Sequence, residues 1–217
     1  MTSGEISGVP SRPGNVIISN DIKLVSKPGV ESWGNINVAN MYKNSYDYDR
    51  AKESHLIKNS EWGATAYLTH SKYGRNTTEI AMNNSSYYTG GGEEEAYKIN
   101  TNQSSTGNVY GIYDLNGNSY ENTAAFNSKY SGTRFTESSF ASTGGISTKY
   151  ATAYSNDSNI SNATNIIDFN TGRNVSITGD GIKEVWRSTT ASWFMDYATF
   201  VDLESPFYVR GRLSWIW

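Results

Sequence analysis

The 217-residue sequence contains no cysteine and only two histidines. Without cysteine the chain can form no disulfide bond, no thiolate metal site and no cysteine-based catalytic centre. Two isolated histidines fall short of the three or four good ligands that a zinc site needs. No Gly-x-Ser-x-Gly motif accompanies His55 or His70, so both are expected at the surface or at helix ends rather than in a catalytic triad.

Charge and long apolar segments are also scarce. Charged residues make up 18% of the chain, the net charge is −3, and no long basic run occurs. A nucleic acid or an anionic membrane is therefore not an expected partner. No apolar run reaches about 18 residues, so no transmembrane helix is predicted. Met1–Glu5 does not resemble a signal peptide, and an export signal or anchor outside this sequence stays an open alternative.

Aromatic residues are abundant in what remains. The chain has 16 tyrosines, 6 tryptophans and 7 phenylalanines, although hydrophobic residues make up only 36%. The core is therefore expected to consist of aromatic more than aliphatic side chains. The length fits one domain at 16–217, and the glycines and prolines of residues 1–15 predict a flexible lead.

The first of two helical patterns covers Asn35–Glu53. Val38, Met41 and Tyr42 recur at helical spacing along one face, and Tyr48 continues that face. An asparagine at position 35 or 37 is suited to cap the start of this helix.

The second helical pattern begins near Asn59. Trp62, Ala66 and Thr69 share one face. Gly63 weakens such a helix by roughly 1 kcal/mol against alanine, unless close packing requires a glycine there.

Strand signals follow in the rest of the chain. Val16–Ile18 is a candidate edge strand, Gly107–Ala124 reads as strand, turn and strand around Asn116–Gly117, and Pro206–Arg210 reads as a strand. Ser85–Gln103 is predicted as a long loop, and Ser128–Ile160 as short strands or ordered loop. Further short strands are expected at Asn165–Asp168, Val175–Ile177 and Ile182–Trp186.

Three motifs resemble those of the formylglycine-generating enzyme family. Gly111–Glu121 is similar to its "GLYDMxGNVWEW" signature, Leu56–Ala64 to its "LPTEAEWEYA" helix, and Val209–Gly211 with Ser214 and Trp215 to its "VRGGSW". The three stand in the family's order and span roughly 33–217. The resemblance is closer to the bacterial and prophage surface proteins of the family than to its enzymes.

The resemblance implies an α+β fold of the C-type-lectin type. Two helices would pack against a twisted, mostly antiparallel sheet with long irregular loops. In the family a glycine pair follows the arginine of the last motif and leads to a closing strand. Here Gly211 is followed by Arg212 and the sequence ends at Trp217, so the closing strand looks absent. Either the chain is truncated or the sheet edge is capped in another way.

Catalysis of the family's type is not expected. Its enzymes oxidise a peptide cysteine with a copper ion held by two cysteines, and this sequence contains none, so we expect no copper. Asp47 with Asp49, and Asp202 with Glu204, are close in sequence, but such spacing does not identify an acid–base pair. We therefore expect no enzyme, and an enzyme of another mechanism stays the least favoured reading.

A structural calcium ion is the one expected cofactor. Calcium prefers six to eight oxygen ligands, and the turn after Tyr113 is crowded with them. The family places a calcium on this segment through two side chains and two backbone oxygens, at the positions of Asp114, Gly117, Ser119 and Glu121. A hydrogen-bonded turn without metal is the alternative. If the ion is bound, a chelator should lower the melting temperature, and an unchanged melt would argue against the site.

Recognition is the expected function. The family's subgroup includes the variable proteins of diversity-generating retroelements, which display a binding surface near the C-terminal end. The tyrosines, serines, asparagines and glycines of this chain suit such a surface. An extracellular module on a bacterial surface or a virion, binding a protein or a glycan, is thus predicted. The candidate ligand-binding residues are Trp193, Tyr197, Phe200, Tyr208, Arg210 and Trp215, each of which could equally belong to the core.

The alternative function is structural. The chain could be a component of a phage tail, a fibre or a pilus tip, in which the aromatic C-terminus docks onto a partner chain or a second copy.

Overall fold

The computed structural model describes residues 3–6, 9–11, 14–18, 22–25, 33–80, 100–113, 115, 121–127, 149–154, 179–181, 199–200 and 207–210. These residues form an α+β arrangement of two α-helices and two sheets. The elements run β1 (Ser3–Ile6), β2 (Val9–Ser11), β3 (Ile22–Val25), α1 (Val38–Asp47), α2 (Asn59–Thr69), β4 (Glu121–Asn127), β5 (Thr152–Tyr154), β6 (Thr199–Phe200) and β7 (Phe207–Arg210). A short 3₁₀ helix at Arg50–Lys52 joins the two α-helices.

The N-terminal residues form strands rather than the predicted flexible lead. β1 lies between β2 and β3 in a three-stranded antiparallel sheet. The alternation of apolar and polar residues in Ser3–Ile6 and Val9–Ser11 covers too few residues to distinguish a strand from a loop by sequence alone. Pairing with β3, a local antiparallel contact, supplies the backbone hydrogen bonds that such short strands need.

The predicted edge strand at Val16–Ile18 is wrong. These residues are irregular, and the side chain of Asn44 satisfies two of their backbone groups. Its Oδ1 accepts the Ile18 N–H at 2.9 Å, and its Nδ2 donates to the Val16 carbonyl at 2.9 Å. A buried asparagine on α1 thus takes the place of a neighbouring strand.

Helix α1 is shorter than its predicted span. Its cap is Asn37, whose side chain accepts the Asn40 N–H at 2.8 Å. The helix ends at Asp47 because Asp49 caps the following 3₁₀ turn, and Glu53 ends that turn in the left-handed region at φ 57°. Tyr48 therefore lies outside the helix and is 60% exposed, so its predicted place on the apolar face is wrong.

Helix α2 confirms the prediction for the second helical pattern. It begins at Asn59, and Trp62, Ala66 and Thr69 are all buried. The Glu61 carboxylate accepts the Lys58 N–H at 2.9 Å and closes the first turn. Neither helix of the described residues is long and apolar enough to cross a membrane.

The four-stranded sheet has the order β5-β4-β7-β6 and carries the main core. Strand β4 pairs antiparallel with β7 and parallel with β5, and β6 pairs antiparallel with β7. The predicted strand Pro206–Arg210 is thus confirmed as β7, and β5 gives Ser128–Ile160 one short strand. Tyr42 of α1 packs with Ala124, Phe126, Ala151 and Phe207.

The described core is aromatic, as predicted. Its largest apolar members are Trp33, Tyr42, Trp62, Phe126, Tyr154, Phe207 and Tyr208.

The segment Gly107–Ala124 is only partly as predicted. Its second half leads into β4, but residues 107–110 form turns instead of a first strand. A single bridge pairs Ser104 with Tyr113. The Ser104 hydroxyl donates to the Asn108 carbonyl, and the Asn108 N–H donates to that hydroxyl at 3.2 Å. These local bonds compete with strand pairing. The predicted turn at Asn116–Gly117 lies outside the described residues.

Several other predicted elements also lie outside the described residues. These are most of the loop Ser85–Gln103 and the short strands at Asn165–Asp168, Val175–Ile177 and Ile182–Trp186.

Candidate functional site

A cavity of about 340 Å³ lies between α1, the start of α2 and the β4–β7 pair. Its wall is mostly apolar and aromatic, with Trp33, Met41, Leu56, Trp62 and Leu115 among its members. Polar groups reach it from His55, Asn122 and Thr123, and charged groups from Glu121 and Arg210. An apolar wall with a few polar groups is typical of pockets that bind small organic groups.

Backbone and side-chain hydrogen bonds hold the wall of the cavity together. The Trp62 indole N–H donates to the Leu115 carbonyl at 3.0 Å, which fixes the ring against the segment before β4. The Ala124 N–H donates to the Ile57 carbonyl at 2.8 Å, which joins the approach to α2 to the sheet. The wall is therefore built from segments more than 50 residues apart in sequence.

A buried polar network lies beside this wall. Arg210 Nε donates to Asn59 Oδ1 at 2.9 Å, and Arg210 Nη2 donates to the Asp180 carbonyl at 2.6 Å. Asn59 Nδ2 donates to the Tyr154 hydroxyl at 3.2 Å, and that hydroxyl donates to Asp180 Oδ2 at 2.8 Å. Each of these four residues is at most 2% exposed. The network joins α2, β5, β7 and the turn 179–181.

Aromatic rings complete the surroundings of Arg210. Its Cζ atom lies 3.8 Å from the centroid of the Trp62 ring and 5.2 Å from that of Tyr208. Contact at such distances stabilises a guanidinium through the negative face of the ring. Burial and the neighbouring Asp180 raise the pKa of Tyr154, so its hydroxyl keeps its proton as a donor to Asp180.

Close backbone contact brings Asp180 to the network. A Cβ atom at Gly63 of α2 would lie 2.2 Å from the Gly179 carbonyl oxygen and 2.5 Å from the Asp180 carbonyl carbon. At Gly181, which has φ +70°, a Cβ atom would lie 2.9 Å from the Trp62 ring. The predicted exception for Gly63 therefore applies: close packing requires a glycine there.

His55 lies in the segment between the 3₁₀ helix and α2. Its Nδ1 is 2.7 Å from the Glu53 carbonyl and its Nε2 is 2.8 Å from the Glu61 carboxylate. Both partners can only accept, so the ring needs a proton on both nitrogens to satisfy them. Burial alone would lower the pKa of His55, but the bonds to Glu53 and Glu61 outweigh it, and the pKa lies above its ordinary 6.5.

This geometry predicts a pH dependence of stability. Because the folded pKa of His55 is raised, its contribution is fully present below pH 6.5 and is lost as the pH rises through the folded pKa. Thermal melts between pH 5 and pH 8 should show this loss. The same series on His55→Gln removes the contribution, and the difference between the two proteins isolates it. A difference that does not change with pH would contradict the assignment.

His70, by contrast, lies at the C-terminal end of α2. Its backbone N–H donates to the Ala66 carbonyl at 3.1 Å, and its ring Nε2 is 3.9 Å from the Glu79 carboxylate. The prediction of a surface or helix-end position is thus confirmed for this histidine.

Two of the predicted ligand-binding residues do not lie on an exposed surface, and their part in binding stays a prediction. Tyr208 and Arg210 are 0% and 1% exposed, so they belong to the interior rather than to an exposed C-terminal surface. Both lie in β7, which pairs with β4 on one side and with β6 on the other. All four residues of this strand are buried. Phe200 lies in β6 beside Tyr208 in the register. Trp193, Tyr197 and Trp215 lie outside the described residues.

Of the predicted calcium ligands, the structure describes only one. Glu121 is half-buried at the start of β4 and lines the cavity. Asp114, Gly117 and Ser119 lie outside the described residues. Within the described part of the chain no group of three or more acidic or histidine side chains could hold a metal. The calcium ion stays a prediction that the chelator melt tests.

Sequence reasoning missed Asn59, Tyr154 and Asp180 as parts of the site. Asn59 was expected only as a helix start, and Asp180 only as a turn residue between Gly179 and Gly181. Their partners are 26 to 151 residues away in sequence. No local pattern in a single sequence encodes such pairings.

Three comparisons bear on the identity of the chain. No family model, no curated protein and no solved structure matches it. The functional argument therefore depends on the geometry of the cavity and of the network beside it.

Proposed function

We propose that the chain is a ligand-binding domain that recognises its target through the cavity between α1, α2 and the β4–β7 pair. The observation that carries this proposal is the cavity of about 340 Å³ with its aromatic wall and its few polar groups. Such a volume fits one sugar ring, one side chain or another small organic group. Recognition is proposed because the wall is mostly apolar and aromatic, with a few polar groups that can orient a bound group.

We further propose that the domain has a C-type-lectin-like frame, and contacts between the three resembling motifs support this. Trp62 of the helix motif bonds the Leu115 carbonyl of the central motif. Arg210 of the last motif stacks on Trp62 and faces Glu121 of the central motif across the β4–β7 ladder. Three stretches that resemble the family's motifs, in the same order, thus also meet in space.

The proposed setting is the surface of a bacterium or a virion, with a protein or glycan as the target. The family resemblance supports this setting. The burial of Tyr208 and Arg210 moves the proposed recognition site from an exposed C-terminal surface to the cavity that Arg210 lines.

The proposal is tested by ligand screening with an NMR readout. The indole N–H signals of Trp33 and Trp62 report directly on the cavity wall, since both rings line it. A set of methyl glycosides, N-acetyl amino-acid amides and small carboxylates is titrated against the labelled protein. At least one class should shift both signals in a saturable way.

A matched pair of variants controls this screen. Ser45 of α1 lines the cavity, so Ser45→Phe should fill it and abolish binding. Lys43, also on α1, is exposed, so Lys43→Phe adds the same ring outside the cavity and should leave binding unchanged. Binding that survives Ser45→Phe, or no binding by any class, would overturn the proposed function.

A further inference from the structure

The Asn122 side chain is an amide with unused hydrogen-bonding capacity at the wall of the cavity, and the inference drawn from it rests on the proposed function. Asn122 lies in β4 and lines the cavity together with Met41 of α1. Its Nδ2 donates to the Met41 sulfur at 3.6 Å, and its Oδ1 accepts no hydrogen bond in the described part of the chain. A thioether is a weak acceptor, so a carbonyl oxygen can replace it. The amide therefore offers one acceptor and one donor to a ligand.

These amide atoms can be reached from the cavity. Asn122 is only half-buried, and its Oδ1 is not one of the described polar atoms that are both buried and unpartnered. This oxygen therefore keeps surface that a molecule in the cavity can contact. Because Met41 also lines the cavity, its contact with Nδ2 places the end of the Asn122 side chain at the same wall.

The charged groups of the wall leave no comparable opening. Arg210 Nε and Nη2 donate to acceptors within the protein, and its Nη1 is buried. Both ring nitrogens of His55 lie within hydrogen-bond distance of protein oxygens. Glu121 is acidic and has an interaction of its own. Within the described residues, the wall thus presents no cation with a free and accessible donor, and a neutral ligand fits it better than an anion does.

We propose that the cavity binds a neutral carboxamide whose N–H and C=O lie on the same side, as they do in a primary amide or in a ring amide. The N–H of the ligand donates to Asn122 Oδ1, and its carbonyl accepts from Asn122 Nδ2. An amide side chain can donate and accept in this way because both of its polar atoms lie in one plane. A secondary amide in the usual trans form has its N–H and C=O on opposite sides and makes only one of the two bonds.

The rest of the wall suits a flat apolar body attached to this carboxamide. Trp33, Trp62 and Tyr113 line the cavity, and Leu115 adds an aliphatic contact. Aromatic rings pack well against one another in stacked or edge-to-face arrangements. The ligand would therefore be oriented by Asn122 and held by the aromatic side chains.

Two matched pairs of probes test this proposal. Benzamide and 2-pyridone carry the N–H and the C=O on the same side, whereas N-methylbenzamide and N-methyl-2-pyridone carry a methyl group in place of that N–H. Titration followed by the Trp62 indole N–H signal should give about five- to tenfold tighter binding of the unsubstituted member, as expected for one hydrogen bond. A preference in either pair supports the proposal and shows whether the amide is primary or part of a ring. Equal affinity within both pairs, or tighter binding of benzoate than of benzamide, would overturn it.

The side-chain amide signals of Asn122 provide a second readout on the unmodified protein. They should shift with benzamide in the same saturable way as the Trp62 signal, and a shift of Trp62 without one of Asn122 would overturn the proposed contact. Asn122→Asp keeps the shape and removes the donor, so benzamide and N-methylbenzamide should bind this variant equally. A preference that survives Asn122→Asp would also reject the proposal. Binding of glycosides or carboxylates without a preference in either probe pair would leave the proposed function intact and reject the carboxamide alone.

Discussion

Replacing Gly63 with alanine should lower the free energy of unfolding by about 2–3 kcal/mol, as overpacking a rigid contact does. In an exposed helix the same change would raise stability by roughly 1 kcal/mol, because glycine is a poor helix former. At Gly63 the added Cβ would lie 2.2 Å from the Gly179 carbonyl oxygen and 2.7 Å from the Asp180 Cα atom. Both are backbone atoms, so relief requires α2 and the turn 179–181 to separate.

The neighbouring position on the same helix provides the control. Ala64 is exposed, so Ala64→Gly should cost only the helix propensity, roughly 1 kcal/mol. Chemical denaturation of both variants and the parent gives the two changes in the free energy of unfolding, provided that all three proteins show the same dependence on denaturant concentration. If Gly63→Ala is as stable as the parent or more stable, the close approach of α2 to Gly179–Gly181 is wrong, and with it the position of Asp180 in the network.

Separation of α2 from the turn 179–181 would also change the wall of the cavity. Trp62 directly precedes Gly63, and its ring contacts Gly181 and Arg210. A shift of α2 therefore moves the cavity wall and the stacking partner of the guanidinium together. We expect the Trp62 indole N–H signal of Gly63→Ala to move even under conditions in which the variant is fully folded.

The helices show which parts of the fold the sequence predicts well. Trp62, Ala66 and Thr69 recur at helical spacing, and local spacing is what decides the buried face of a helix. The start of α2 at Asn59 and the cap of α1 at Asn37 follow from the same short-range chemistry. Strand β7 was predictable because Phe207–Val209 is apolar and aromatic and is preceded by proline.

Other elements depend on partners far away in the chain. Val16–Ile18 has the composition of a strand, but a side chain of α1 takes its backbone hydrogen bonds. Val109 to Tyr113 alternates weakly, but Ser104 and Asn108 draw its backbone into turns. In each case a side chain competed with strand pairing, and propensity alone does not decide such a competition.

The candidate site was the least predictable part. Tyr208 and Arg210 were placed on a surface because the variable proteins that the chain resembles display their binding surface near the C-terminal end. Their position in β7, between β4 and β6, buries them instead. The residues that define the surroundings of Arg210, namely Asn59, Tyr154 and Asp180, come from three separate segments. Their convergence depends on the fold and leaves no trace in any one segment.

Replacing Asn59 with alanine should lower the free energy of unfolding by about 3 kcal/mol, the scale on which a buried charge loses its partner. Asn59 is fully buried, and its side chain bonds both Arg210 Nε and the Tyr154 hydroxyl. The variant leaves a second nitrogen of the guanidinium unpaired beside Nη1. Equilibrium denaturation measures the loss, and a cost below about 1 kcal/mol, the value of a single ordinary hydrogen bond, would contradict the network.

A second substitution at the same position separates lost packing from lost charge compensation. Asn59→Asp keeps the shape and places a carboxylate against Arg210. It also replaces the donor to Tyr154 with an oxygen that the hydroxyl, which already donates to Asp180, does not satisfy. It also places a negative charge in the first turn of α2, where the helix dipole favours one. We therefore expect Asn59→Asp to be clearly more stable than Asn59→Ala. Equilibrium denaturation of the two variants and the parent measures this difference. If Asn59→Asp is no more stable than Asn59→Ala, the side chain at position 59 does not compensate the charge of Arg210, and the network is wrong at that position.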